Sequence, residues 1–209
     1  LRLETGDPAA KTRATDIEST LKRLTRLSER LMQLARAEGG RLRLEHASDL
    51  RHVARILTDE LSRTTSADRI SLVLPPDPLM SDLDPDVFAI LYRNLVENAL
   101  RHGADGTPIH VSLTNDGVLT VANDGPIVPG DVLARLTDRF ERVGKLRDGS
   151  GLGLAIVQAI AQRTDSALVL RSPRPGQGSG FEACLTLPTT KGDNNLLIDP
   201  GSRFGNSPS

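Results

Sequence analysis

Ile17, Leu21, Leu24, Ser28, Leu31 and Ala35 are spaced by four, three, four, three and four residues, the heptad-like rhythm of a helix with one apolar seam. The helical pattern runs from about Lys11 to Glu38, and Leu27 and Leu34 widen the seam as in bundle helices. Gly39-Gly40 is the expected stop. One long helix cannot bury such a stripe alone, so a partner helix or a second subunit is implied. Leu1-Arg2-Leu3-Glu4 reads as the end of an earlier helix, with Gly6-Asp7-Pro8 as the turn.

From Ser48 onward the pattern changes. Ser48 or Asp49 caps a helix through Val53, Ile56, Leu57 and Leu61. Ile70 to Leu74 is apolar and β-prone, and Pro75-Pro76 ends it. A further helix starts near Pro85, with Val87, Ile90, Leu91, Leu95 and Ala99 as its buried stripe. Ile109 to Thr114 and Val118 to Ala122 form a hairpin around Asn115-Asp116-Gly117. Residues 123 to 152 are rich in Gly, Pro, Asp and Arg and read as a long functional loop holding a short helix. Leu154 to Thr164 is helical, and Ala167 to Arg171 and Gly180 to Leu187 are strands parted by a Pro/Gly turn. The residues after Pro188 are polar and read as a disordered tail. Strands and helices mix without regular βαβ alternation, so the expected fold class is α+β: a two-layer α/β sandwich with a mixed sheet covered by helices.

Composition narrows the function. There is no Trp, one Tyr and four Phe, too few aromatics for a stacking platform that holds single-stranded nucleic acid. A formal net charge of −1 supplies no basic field for nucleic acid or membrane. One cysteine, Cys184, excludes an internal disulfide and fits a reducing compartment. Its alternation with Ala183 and Leu185 reads as a packed strand side chain with no basic partner. No apolar run approaches the length of a membrane span. The chain opens at Leu1 without a methionine, so a longer parent with its anchor elsewhere is expected.

Three clusters carry chemistry. In the first, Asn94-Leu95-Val96-Glu97-Asn98-Ala99-Leu100-Arg101-His102, the two asparagines lie one turn apart on one helix face. Such a face meets a polar ligand or is simply solvated, and by itself the pair does not decide between these. The second, Val121-Ala122-Asn123-Asp124-Gly125-Pro126, places a carboxylate at a strand end, where it can accept from an exocyclic amine while Gly125 lets the backbone approach a flat ring. Taken alone it is better read as an ordinary turn. In the third, Gly149-Ser150-Gly151-Leu152-Gly153-Leu154, glycines run directly into an apolar helix whose first N–H groups can cradle phosphate. It lacks the Gly-Lys-Ser/Thr ending of a P-loop and the spacing of the dinucleotide fingerprint.

In this order the clusters resemble the ATP-binding catalytic domain of sensor histidine kinases, part of the superfamily of gyrase, heat-shock chaperone ATPases and mismatch-repair ATPases. The resemblance covers roughly Ser48 to Pro188. Residues 94–102 resemble the family's N box, 123–130 its first glycine box, 136–143 its F box and 149–154 its second glycine box. The helix ending Leu-Met-Gln-Leu-Ala-Arg-Ala-Glu is similar to the second helix of the family's dimerisation and histidine-phosphotransfer hairpin. Residues 1–40 would then be that partial helical region, 41–188 the catalytic domain and 189–209 a tail.

The resemblance implies ATP and Mg²⁺ as ligands. Asn98 would bind the Mg²⁺ that bridges the phosphates, Arg101 would contact phosphate, and His102 would line the nucleotide. Asp124 would read the adenine amino group and Gly125 would admit the base. Phe140 and Arg142 belong to the lid, from which Lys145 or Arg147 would reach phosphate. Gly149, Gly151 and Gly153, with Leu152 among them, would hinge that lid and cradle phosphates. Asn94 stands where the superfamily's ATPases place a glutamate, and an amide cannot act as a general base at neutral pH. Glu97 points elsewhere on the helix and reads as a solvated charge.

Two departures qualify the match. Gly125 is followed by Pro126-Ile127-Val128-Pro129, which displaces the box's second glycine to Gly130. None of His46, His52, His102 and His110 has the setting of the acceptor histidine, so the acceptor is expected outside this chain. His46 and His52 read as surface residues near the connection, and His110 as structural. The expected function is transfer of the ATP γ-phosphoryl to a histidine and relay to a response-regulator receiver domain. The parent would be a homodimer anchored in the bacterial inner membrane, with no nucleic-acid partner. The alternatives are an ATP-hydrolysing member of the superfamily and a nucleotide-binding or dimerisation module without kinase activity.

Overall fold

Asp84 and Pro85 start the central helix: the Asp84 Oδ1 accepts from the Asp86 N–H at 2.7 Å, and proline occupies the first turn, where its missing N–H is harmless. The computed structural model describes residues 8–64, 69–138 and 151–190. In chain order the elements are α1 (Pro8–Gly39), β1 (Arg43–Asp49), α2 (Leu50–Thr64), β2 (Ile70–Val73), β3 (Met80–Leu83), α3 (Pro85–His102), β4 (Ile109–Leu113), β5 (Val118–Asn123), α4 (Gly130–Leu133), α5 (Gly153–Arg163), β6 (Leu168–Arg171) and β7 (Phe181–Thr186). The expected end of an earlier helix at Leu1–Glu4 lies outside the described residues.

Five strands form a mixed sheet in the order β2-β4-β5-β7-β6. The β2–β4 pair is parallel and the other three pairs are antiparallel. The expected hairpin is β4–β5, with Leu113 opposite Leu119 across the Asp116-Gly117 turn. Alternation along β4 sends Ile109, Val111 and Leu113 into the core and leaves His110 exposed. Helices α3 and α5 cover the inner face through Phe88, Leu91, Leu95, Ile156 and Ile160, all buried. Complete burial of each such side chain contributes roughly 1.5–3 kcal/mol. The two-layer mixed sandwich is therefore the observed architecture.

Two strands, β1 and β3, were not expected. They pair with each other as a separate antiparallel ribbon. β1 reads Arg-Leu-Glu-His-Ala-Ser-Asp and is exposed over its first half, so it carries no apolar alternation to announce it. Asp49 caps α2 by accepting from the Arg51 N–H at 3.1 Å and ties in β3's approach by accepting from Leu79 N–H at 3.1 Å. The hydrogen-bonded Arg51 guanidinium holds this carboxyl below the usual range. α2 packs on α3 through a hydrogen bond between Thr58 and Tyr92 and through the Arg93–Glu60 ion pair. Burial pushes the Tyr92 phenol up to about 12.

α1 is the expected long helix, but only its C-terminal end joins the core, through Leu34 and Ala37. Arg163 at the end of α5 donates to Ala37 O at 2.7 Å and to Gly40 O at 2.9 Å, satisfying carbonyls that a helix end leaves open. Ile17, Leu21, Leu24, Leu31 and Met32 remain 46–71% exposed. At the other terminus, Thr190 N–H donates to Met80 O at 3.0 Å, so the chain stays tied to β3 past the expected start of the tail at 189. Among the described residues no helix is long and apolar enough to cross a membrane.

Candidate functional site

The last two turns of α3 are gripped from both ends by glycine segments. At one end Gly153, the first residue of α5, lies so close that a Cβ there would come within 3.1 Å of Asn94 Oδ1. At the other end a Cβ on Gly125 would come within 3.2 Å of His102 O, and Ala104 N–H donates to Asp124 O at 2.8 Å. Residues distant in sequence are thus brought to one helix, and a Cβ at either approach would make the neighbouring atoms give by a few tenths of an ångström.

Asn94 and Asn98 share a face but not an environment. Asn94 is 2% exposed, and its Nδ2 donates to Ile90 O at 2.7 Å and to Gln33 Oε1 at 3.4 Å. Its Oδ1 accepts from Arg30, whose other terminal nitrogen pairs with Glu97. The reading of Glu97 as a solvated charge is therefore corrected: α1 brings Arg30 across to it, a tertiary contact that helix spacing alone does not reveal. Asn98, one turn further on, is half-buried, and Arg101 is exposed. Desolvation, with the Arg101 charge beside it, holds the His102 imidazole below its ordinary value.

Asp124 follows directly on β5, the central strand. Asn123 at the strand end is 2% exposed; its Nδ2 donates to Asp124 O at 3.0 Å, while its buried Oδ1 has no protein partner among the described residues. The Asp124 carboxylate is 48% exposed and accepts from Arg174 Nη1 at 2.7 Å. Its loop is stitched to the β6–β7 turn, since Gly180 N–H donates to Gly125 O at 2.9 Å and Val128 N–H donates to Ser172 Oγ at 2.9 Å.

At the start of α5, Leu152 is fully buried and occupies the N-cap with an apolar side chain, and Gly151 adopts φ 68°. The first turn of any helix offers N–H groups without intrahelical acceptors, and here those belong to a glycine-led segment beside Asn94. Gly130 opens α4 and has nothing within 4 Å of a would-be Cβ, so no close approach demands a glycine there. Phe140, Arg142, Lys145, Arg147 and Gly149 lie outside the described residues. His46 falls in β1, His52 in α2 and His110 in β4, all three exposed.

Cys184 lies on the outer sheet face with Arg171 Nη1 at 3.4 Å, so it does have a basic neighbour, contributed by the adjacent strand. Burial still pushes its thiol up. Sequence reasoning missed Arg174, Arg30 and Gln33. Arg174 left one trace, as the only charged residue between Ser172 and Gly180.

A mixed sheet layered with helices, and an asparagine helix clasped between a carboxylate loop and a glycine-led helix start, define a domain of the ATPase type. The family described as histidine kinase-, DNA gyrase B- and HSP90-like ATPases matches residues 83–191, more than half of the chain. The chain belongs to that family and, within it, carries the ATP-binding catalytic domain of a two-component sensor histidine kinase. It is 31% identical to the sensor protein QseC of Escherichia coli K12 over 194 residues, covering 87% of this chain and 41% of that protein. It is 31% identical to the alginate biosynthesis sensor protein KinB of Pseudomonas aeruginosa, covering 84% of this chain and 31% of that one. The chain therefore spans well under half the length of these relatives. The fold is shared with the mycobacterial sensor histidine kinase MprB (TM-score 0.60, 23% identity, 68% of this chain and 97% of that one). It is shared too with full-length ShkA in complex with AMPPNP (TM-score 0.63, 22% identity, 88% of this chain and 39% of that one).

Proposed function

We propose that this domain binds ATP with Mg²⁺ and presents the γ-phosphoryl to a histidine supplied from outside the chain, for relay to a response-regulator aspartate. The single observation that carries the reading is the clasp on α3, which gathers the amide of Asn98, the carboxylate of Asp124 and the N-terminus of α5 around one helix. The residues present fit the ligands. Asp124 and the unsatisfied Asn123 Oδ1 are acceptors suited to a donor such as an exocyclic amine. The described residues hold no cluster of three or more His, Cys, Asp or Glu that would cage a metal. A single amide, Asn98, suits an ion that takes its remaining ligands from phosphate and water. Bound Mg²⁺ would neutralise phosphate charge.

The chain's own groups position and neutralise. Gly125 admits the base beside the end of α3, Arg101 faces phosphate, and the N–H groups at the start of α5 bind phosphate oxygens. His102, whose imidazole desolvation and the Arg101 charge hold below its ordinary value, would line the nucleotide. Phe140, Arg142 and Lys145 would complete a lid, with Gly149, Gly151 and Gly153 as its hinge. The Asn94 amide cannot take a proton from water, and the neighbouring Glu97 carboxylate is ion-paired with Arg30. Residues 1–40 would dimerise the parent through the exposed α1 seam, and the parent would be anchored in a bacterial membrane.

Calorimetry with ATP and Mg²⁺, followed by incubation with a separate histidine-bearing helical hairpin, tests the proposal. An acid-labile phosphate on the hairpin, with none on this chain and little phosphate release, is expected. Rapid phosphate release without transfer would instead make the domain an ATPase.

A further inference from the structure

Arg174 is the one charged residue in a turn otherwise built from Ser, Pro, Gly and Gln, and its side chain is only 18% exposed. A long cation is seldom sheltered to that degree unless it is paired. The shelter is built by neighbours. Gly180 adopts φ 86°, and a Cβ there would come within 2.7 Å of Arg174 Cδ and 2.7 Å of Asn123 O. The glycine thus leaves a channel for the arginine stem directly beside the end of β5. The turn is closed on itself by Arg174 N–H donating to Ser179 O at 3.1 Å and Gln177 N–H donating to Arg174 O at 3.0 Å. Ser172 Oγ locks both sides, donating to Gly180 O at 2.7 Å and accepting from Val128 N–H at 2.9 Å.

The channel aims the guanidinium at Asp124, where Nη1 donates to Oδ1 at 2.7 Å. The carboxylate is half exposed and sits on a loop, and among the described residues Arg174 is the one hydrogen-bond partner of its side chain. The bond engages one carboxylate oxygen, Oδ1, and orients the other.

We infer that Arg174 is the positioning residue for base recognition: held in the Gly180 channel, it fixes the Asp124 carboxylate in the one orientation that accepts an exocyclic amine and so sets the preference for a 6-amino over a 6-oxo purine. This rests on the reading of Asp124 as the base acceptor. A charge-assisted hydrogen bond of this kind has the strength to select one rotamer. A neutral side chain of similar length fills the channel but leaves the carboxylate free to turn.

The experiment compares ATP with inosine triphosphate, which differs at the amine, by calorimetry on the full chain with Mg²⁺. In the unsubstituted chain ATP binds more tightly than inosine triphosphate, and Asp124→Asn abolishes the difference. Arg174→Met keeps the stem in the channel and removes the guanidinium. It is expected to weaken ATP by about tenfold while leaving inosine triphosphate unchanged. Arg174→Lys restores part of the preference, which a purely structural role would not. A preference kept in full by Arg174→Met overturns the positioning role alone, as does tighter ATP binding, which would make Arg174 a competitor of the base. An unsubstituted chain with no preference, or an Asp124→Asn chain that keeps it, overturns the base-acceptor reading and the inference with it. Should Arg174→Met unfold, Arg174→Lys alone decides: an ATP preference reduced below that of the unsubstituted chain at full thermal stability supports positioning by the guanidinium, and an unchanged preference refutes it.

Discussion

Helices α1 and α3 are both amphipathic, yet their apolar stripes meet opposite fates. α3 buries Val87, Phe88, Leu91, Tyr92, Leu95, Val96 and Ala99 against the sheet and its neighbours. α1 buries Leu34 and Ala37, packs Leu27 partly against the core, and leaves Ile17, Leu21, Leu24 and Leu31 in solvent. Helical period records that a stripe wants a partner; whether the partner lies in the same chain depends on what the topology brings alongside. α3 is enclosed by α2, α5, β4 and β5, and α1 meets α5 over its last turns.

That contrast fails if the two stripes respond alike to truncation. Phe88→Ala is expected to cost about 3–5 kcal/mol in urea unfolding, because it opens a cavity in a closed core. The Leu21→Ala and Leu24→Ala pair should change monomer stability by no more than about 0.5 kcal/mol, as exposed positions do. Equal losses would show that α1 is covered in solution.

At the ligand end of α3, Asp124→Asn removes a charged acceptor and should weaken ATP by roughly 10- to 100-fold, read by calorimetry. An affinity within twofold of the parent would remove adenine recognition from this loop. The α1 double substitution has its own signature in sedimentation, a shift from dimer toward monomer. If the unsubstituted chain is already a monomer at every concentration tested, the seam's partner is not a second copy of these residues.

The smallest effect belongs to His102. Its folded-state pKa is lowered from 6.5, so the native state resists protonation. The stability this implies is fully present above 6.5 and is lost as pH falls through the folded value. His102→Gln should flatten the unfolding free energy across that acidic window, and an unchanged slope there would place the titrating group elsewhere.

Legibility followed local chemistry. Pro85 announced the start of α3, Asp116-Gly117 the hairpin, and Ser48 or Asp49 the cap of α2, of which the structure uses Asp49, because each acts on residues within a turn of itself. The β1–β3 ribbon was silent, since a mostly polar strand held by backbone bonds leaves no alternating pattern. At the site, Asn98, Asp124 and the glycines were readable as residue types. The contacts of Arg30 with Asn94 and Glu97, and of Arg174 with Asp124, were not, because they join residues 50 to 67 positions apart.

The two hydrogen bonds from Arg163 to the end of α1 give α5 a second role. This helix spans eleven residues, about 16 Å at 1.5 Å per residue. One end is bolted to the carbonyls of Ala37 and Gly40, and the other abuts Asn94 through Gly153. A twist of α1 about its axis must either break both bolts or drag the shaft, and the shaft's far tip is the wall against which phosphate would rest.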